Sequence, residues 1–168
     1  MTHLPQPVIA AIRGYCIGAG VELALMADVR VAERSTTFAL PEAQLGIAAD
    51  IGGDLRLVRE VGAGWARRLL FTGDDFDAEL AARIGLVQDL VDDGELDDFV
   101  WSLAERMALN APLAVQAAKR QVNFVAEMGM YEALRFEAAS AAMNFVTEDQ
   151  PRGFAARSAR QQPRFSGF

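Results

Sequence analysis

The chain has 168 residues, 52% hydrophobic and 23% charged, with a net charge of -7, which suits a globular domain with a substantial core and argues against a disordered chain. The negative balance argues against a broad basic surface for nucleic acid or an anionic membrane, and no apolar run reaches the ~18–20 residues of a membrane span. A single cysteine, Cys16, and a single histidine, His3, exclude an internal disulfide, a zinc cage of cysteines, a histidine-rich metal site and an internal Ser-His-Asp triad.

Residues 7–14 form a short, partly β-branched apolar run ended by Gly14, which predicts a buried strand. Gly18-Ala19-Gly20 then opens a helix over 21–27, whose continuous apolar character predicts burial on most sides. Residues 28–32 alternate like a strand and 36–40 offer another before Pro41, so the front reads strand, helix, strand, strand. Helices follow over 55–61 and 65–71, separated by a Gly62-Ala63-Gly64 break and ended by Thr72-Gly73. Residues 77–84 predict a short helix and 85–91 a short strand. From Glu95 onward the pattern is helical: 95–109, 112–128 with Pro112 in the first turn, 131–145 and 149–160. The acidic stretch 89–98 reads as a solvated turn entering a helix N-terminus, where acids favour the dipole, and its spacing does not match an EF-hand loop. The chain shows no tandem repeat, low-complexity tract or Pro/Gly/Ser-rich linker. Residues 1–7 lack the basic and apolar regions of a signal peptide, so the expected address is cytoplasmic.

Three acids stand in apolar, glycine-rich settings: Glu22, Glu42 and Asp50. A carboxylate there is costly unless it is paired, caps a helix or moves protons. Each has a structural explanation alone: Glu22 as a first-turn acid, Glu42 as the residue after a helix-opening Pro41, Asp50 as an N-cap. Gly18-Ala19-Gly20 is explained first by a tight strand-to-helix turn that needs glycine for packing, and after that by backbone N–H donors, at a helix start, aimed at developing negative charge. Cys16 has no histidine but His3 to activate it as a nucleophile.

Taken together, Gly14-Tyr15-Cys16-Ile17-Gly18-Ala19-Gly20-Val21-Glu22, Leu40-Pro41-Glu42 and Gly46-Ile47-Ala48-Ala49-Asp50-Ile51-Gly52-Gly53 resemble the crotonase (enoyl-CoA hydratase/isomerase) superfamily. Within it the nearest likeness is to the Δ3,5-Δ2,4-dienoyl-CoA isomerases, which carry a third acid where Asp50 stands. The resemblance runs from Pro7 to Phe165 and matches about the C-terminal two-thirds of a usual member. Met1 is therefore expected to be an internal start, with the family's other oxyanion donor and most CoA contacts encoded upstream.

The resemblance implies a mixed α/β fold, with the end of a β-β-α spiral in 1–91 and, in 92–168, helices that assemble trimers or dimers of trimers. It implies an acyl-CoA thioester substrate and no cofactor beyond the coenzyme A that the substrate carries. Ala19 N–H becomes one oxyanion donor, Gly18, Gly20 and Ile47 line the substrate, and Arg157 or Arg160 reaches CoA phosphates; Arg164 is equally placed for that, and all three also suit solvated helix-end charges. Glu42 and Asp50 become the proton-transfer pair of an isomerase, with Glu22 at the remaining acid position.

Two departures qualify this. Glu22 is a glutamate, the hydratase habit, where the dienoyl isomerases usually have aspartate, so Glu22 and Glu42 alternatively activate water for addition to a 2-enoyl thioester. Asp54 replaces the family's usual neutral residue and, if turned inward, adds negative charge. A non-enzymatic alternative is a silent module that retains only the assembly helices.

Overall fold

A computed structural model describes residues 3–125 and 128–168. The chain divides into two units, Val8–Trp101 and Ser102–Phe168, the second joined by the segment just before Val8.

The first unit carries two small sheets. β1 (Ile9–Ile12), β3 (Val29–Glu33) and β6 (Asp89–Val91) form one parallel sheet in the order β1-β3-β6, with Ile9 opposite Val29 and Val31 opposite Asp89. β2 (Tyr15–Ile17) and β4 (Thr37–Ala39) pair in parallel, and β5 (Phe76–Asp77) closes the second sheet antiparallel to β4. The order at the front is thus strand, strand, helix, strand, strand. β2 and β5 escape the sequence reading because three and two residues are too short to display a period. β2 does alternate, with Cys16 buried between exposed Tyr15 and Ile17.

Between them α1 spans Ala19–Ala24, beginning earlier and ending sooner than its apolar run suggests. Its continuation tightens into i→i-3 bonds, Met26 N–H to Leu23 C=O at 3.0 Å and Ala27 N–H to Ala24 C=O at 3.1 Å. Val21, Glu22, Ala24, Leu25 and Ala27 are buried and Leu23 alone of 21–27 is exposed, so the segment is buried on most sides, as its apolar character predicts. A 3-10 turn follows at Pro41–Leu45, then α2 (Gly53–Thr72), interrupted at Gly62 as the Gly-x-Gly pattern predicts. α3 (Ala78–Arg83) starts with the Asp77 carboxylate accepting Leu80 N–H at 2.7 Å. The predicted strand over 85–91 shrinks to Asp89–Val91 because Leu86 and Val87 N–H turn back to Ala81 C=O, at 2.9 and 3.2 Å.

The core of this unit joins strand and helix faces: Val21, Val31, Phe38, Leu40, Leu57 and Leu86 are fully buried. Phe38 and Phe76, partners across β4 and β5, stack with centroids 5.6 Å apart. Arg30 lies within the same interior, 2% exposed. Its Nε donates to Leu86 C=O at 2.6 Å, its Nη1 to Ala27 C=O at 3.0 Å and its Nη2 to Glu60 Oε2 at 2.5 Å.

α4 (Leu96–Ala108) crosses from the first unit into the second, which then holds α5 (Pro112–Val125), α6 (Met130–Phe145) and α7 (Asp149–Ala159). Ala126 and Glu127, within the predicted 112–128 helix, lie outside the described residues. The C-terminal tail folds back on α7: Asp149, 3% exposed, accepts Ser166 N–H and Gly167 N–H, both at 2.8 Å, Ser166 Oγ–H at 3.2 Å and Arg152 Nη1–H at 3.3 Å.

Burial alone raises the Asp149 carboxyl, but these donors outweigh it and hold it below the usual aspartate range. A depressed folded value means that the clasp contributes above the ordinary carboxylate range and is lost as pH falls through the lowered value. The Ser166 and Gly167 amide resonances should therefore titrate together, with a midpoint below the ordinary aspartate value of about 3.9. The titration should vanish in Asp149→Asn; a midpoint at or above the ordinary value counts against the clasp.

Candidate functional site

Two neighbouring parallel strands end at the site. β2 runs through Gly18 into α1, and β4 runs through Leu40 into the 3-10 turn. Glu22 and Glu42 therefore both emerge just beyond the carboxyl ends of adjacent strands, where ligands sit in open parallel sheets. The two strand ends are tied by Gly18 N–H donating to Ala39 C=O at 2.9 Å.

Gly18 has φ 53 and ψ -117, and a Cβ there would stand 3.0 Å from Glu42 Oε1. Glycine is needed on both counts, left-handed backbone and close approach of a carboxylate. α1 begins directly after it without a side-chain cap, so the leading N–H groups, Ala19 first, have no intrahelical partner. Among the described residues Arg160 alone of the non-glycines has positive φ, so Ala19 meets the requirement for a backbone donor at an alanine. Gly20 lies inside α1, where a Cβ would stand 3.8 Å from Cys16 Sγ, an ordinary contact. Burial pushes the Cys16 thiol up to about 11, which keeps it a thiol and not a nucleophile.

Glu22 is 2% exposed. Its Oε2 accepts Gly53 N–H at 2.9 Å and Ile51 N–H at 3.2 Å, so a first-turn acid of α1 also satisfies N–H groups at the start of α2. Gly53 is required for this: a Cβ there would lie 2.4 Å from the Glu22 side chain. The sequence reading of Glu22 misses this partner, and the glycine pair Gly52-Gly53 is the signal that points to it. Glu42 is 8% exposed, and its Oε2 is buried with no hydrogen-bond partner among the described residues. A buried carboxylate oxygen left without a protein donor is costly.

Asp50 is exposed and does not cap α2. The N-cap is Gly52, left-handed at φ 86, and the first helical N–H is taken by Glu22 from across the site. Ile47 follows the left-handed Gly46 and is exposed, its N–H donating to Glu42 C=O at 3.0 Å. Asp54 turns inward: in the first turn of α2, its Oδ1 is buried with no hydrogen-bond partner among the described residues. Arg157 and Arg160 belong to the helical unit. Arg157 is exposed beside an apolar groove of about 370 Å³ lined by Leu113, Phe154 and Phe165, and Arg160 ends α7 in a left-handed conformation. Among the described residues no group of three or more His, Cys, Asp or Glu is placed to hold a metal ion, and no helix is long and apolar enough to cross a membrane.

This arrangement has close counterparts. A short-chain-enoyl-CoA hydratase of Clostridium acetobutylicum is 40% identical over 147 residues, covering 88% of this chain and 56% of that protein. A 2,3-dehydroadipyl-CoA hydratase of Escherichia coli is 38% identical over 162 residues, covering 96% of this chain and 64% of that protein. The crystal structure of an enoyl-CoA hydratase from Bacillus anthracis superposes with a TM-score of 0.97 at 35% identity, covering 99% of this chain and 65% of that one. The chain thus spans somewhat under two-thirds of the length of these relatives. The sequence pattern of the enoyl-CoA hydratase/isomerase family matches residues 1–167, and the chain belongs to that family.

Proposed function

We propose that the chain carries the water-adding chemistry of its family, hydration of a 2-enoyl-CoA thioester. The observation that carries this is the pair of buried carboxylates, Glu22 and Glu42, at the ends of adjacent parallel strands beside the α1 N-terminus. In this reading Glu22, oriented by Gly53 and Ile51 N–H, takes a proton from water as oxygen bonds to the β-carbon. The π electrons move into the thioester carbonyl, and Ala19 N–H donates to the enolate oxygen that forms. Glu42, entering the step protonated, delivers its proton to the α-carbon; Glu22 ends protonated and Glu42 ionised, so atoms and charge balance, and proton exchange with solvent resets the pair with no cofactor beyond the CoA of the substrate. Relatives named as hydratases support this over double-bond isomerisation.

The isomerase reading needs Asp50 as the second proton carrier, and exposed Asp50 gives it less support than buried Glu22. Incubating the chain with 2-enoyl-CoA and with 3,5-dienoyl-CoA, and following enoyl and conjugated-diene absorbance, separates the two. Hydration is expected, with Asp50→Asn keeping kcat within about threefold, because an exposed acid outside the reacting pair is not needed to move either proton. Diene isomerisation that Asp50→Asn abolishes would replace the hydratase reading by the isomerase one. The same proposal takes the helical unit as the surface through which copies assemble, supported by exposed Met130, Tyr131, Leu134, Phe145 and Val146.

A further inference from the structure

α2 touches both acid-bearing segments and is broken between its contacts with them. Its first residue holds Glu22 through Gly53 N–H. Its last holds the turn that carries Glu42: Gln44 Nε2 donates to Thr72 C=O at 2.9 Å. Gly73, the left-handed C-cap, stands so near Gln44 that a Cβ there would meet its Nε2 at 2.9 Å. In between, Gly62 has φ 74 and ψ 162, a combination essentially confined to glycine. A Cβ at Gly62 would meet nothing within 4 Å, so backbone conformation, and not space, calls for glycine.

Each half is anchored separately. Glu60, two residues before the break, pairs with the buried Arg30. Beyond it, Ala66 and Leu69 are buried in the core. β2 and β4 fix the backbones from which the acids emerge, while α2 reaches the Glu22 carboxylate itself and the far side of the Glu42 turn.

We propose that Gly62 is a positioning residue: the angle it sets between the two halves of α2 determines where the Glu22 carboxylate stands relative to Glu42. A change at Gly62 shifts Gly53 against Thr72 and swings Glu22 without altering a group that touches substrate. The kinetic part of this rests on the hydration reading above.

The test is Gly62→Ala in the full chain, with Gly64→Ala as control, since Gly64 is ordinary helix and its added Cβ also meets nothing within 4 Å. Gly62→Ala should lower kcat for 2-enoyl-CoA hydration about 10²-fold while KM stays within about twofold, the signature of misplacement on the order of 1 Å. In protein labelled with 15N-glycine, the Gly53 amide resonance should move toward its position in Glu22→Ala. Gly64→Ala should change neither. Unaltered kcat, or an unshifted Gly53 amide in Gly62→Ala, overturns the proposal. If Gly62→Ala does not fold, Gln44→Ala releases the far anchor from an exposed position, and wild-type kcat with a wild-type Gly53 amide overturns the proposal there. If the wild-type chain hydrates no 2-enoyl-CoA, the hydration reading fails for this chain by itself, and the Gly53 amide decides this proposal.

Discussion

Replacing Glu42 by glutamine is expected to lower kcat for 2-enoyl-CoA hydration by ~10²–10⁴-fold, the usual contribution of a positioned proton donor, with little change in stability. The amide has the volume of the carboxyl group it replaces, so it fits against Gly18, and the buried Oε2 gives up no hydrogen bond to a described residue. Glu22→Gln should cost a similar factor for a different reason. Its side-chain oxygen can still accept Gly53 and Ile51 N–H, so the start of α2 is kept while the base is lost. The double variant should be little slower than the worse single one, because residues that act as a unit are not additive. Urea denaturation alongside the kinetics separates the roles. If Glu22→Gln hydrates at the normal rate and Glu22→Ala loses only stability, then Glu22 is a cap for α2, and the two-acid reading fails.

The apolar, glycine-rich frame draws attention to the acids, but each alone has a structural explanation, and it is their joint spacing, through the family resemblance, that makes Glu22 and Glu42 legible as a site. What holds them is not. Gly53 and Ile51 lie 31 and 29 residues from Glu22, and no local pattern records which carboxylate will take their N–H groups. Asp50 shows the converse: a side chain suited to N-capping sits just before a helix, yet a left-handed Gly52 takes the cap and Glu22 takes the N–H. The main strands follow from β-branched runs, and the Gly62 break from its Gly-x-Gly signal. β2 and β5 exist because neighbouring strands pair with them, a cause that lies outside their own few residues. Arg30 is the largest omission. Alternation along 28–32 puts it opposite Val29 and Val31, the face that would meet solvent in a one-sided sheet. β3 is the middle strand of a parallel sheet, and such strands are covered on both faces.

Arg30→Met should therefore destabilise the chain by ~2–5 kcal/mol, a large share of the ~5–15 kcal/mol typical of a folded domain. The guanidinium is the donor for two main-chain oxygens, Leu86 C=O and Ala27 C=O, as well as for Glu60. Removing it leaves those buried acceptors short of a donor, at ~1–3 kcal/mol each. Glu60 adds less, because its side chain is 36% exposed and can turn to water. The methionine recovers part of the packing, which is why the lower end of the range is reachable. Arg30→Lys is the decisive companion. It keeps the charge but replaces a planar fork by one ammonium on a flexible stem, whose three N–H groups sit on a single nitrogen and cannot reach acceptors that Nε, Nη1 and Nη2 serve from three separate atoms. It should lose nearly as much stability as Arg30→Met in urea denaturation followed by circular dichroism. If lysine restores wild-type stability, the ion pair with Glu60 supplies most of the stabilisation and the two carbonyl contacts contribute little.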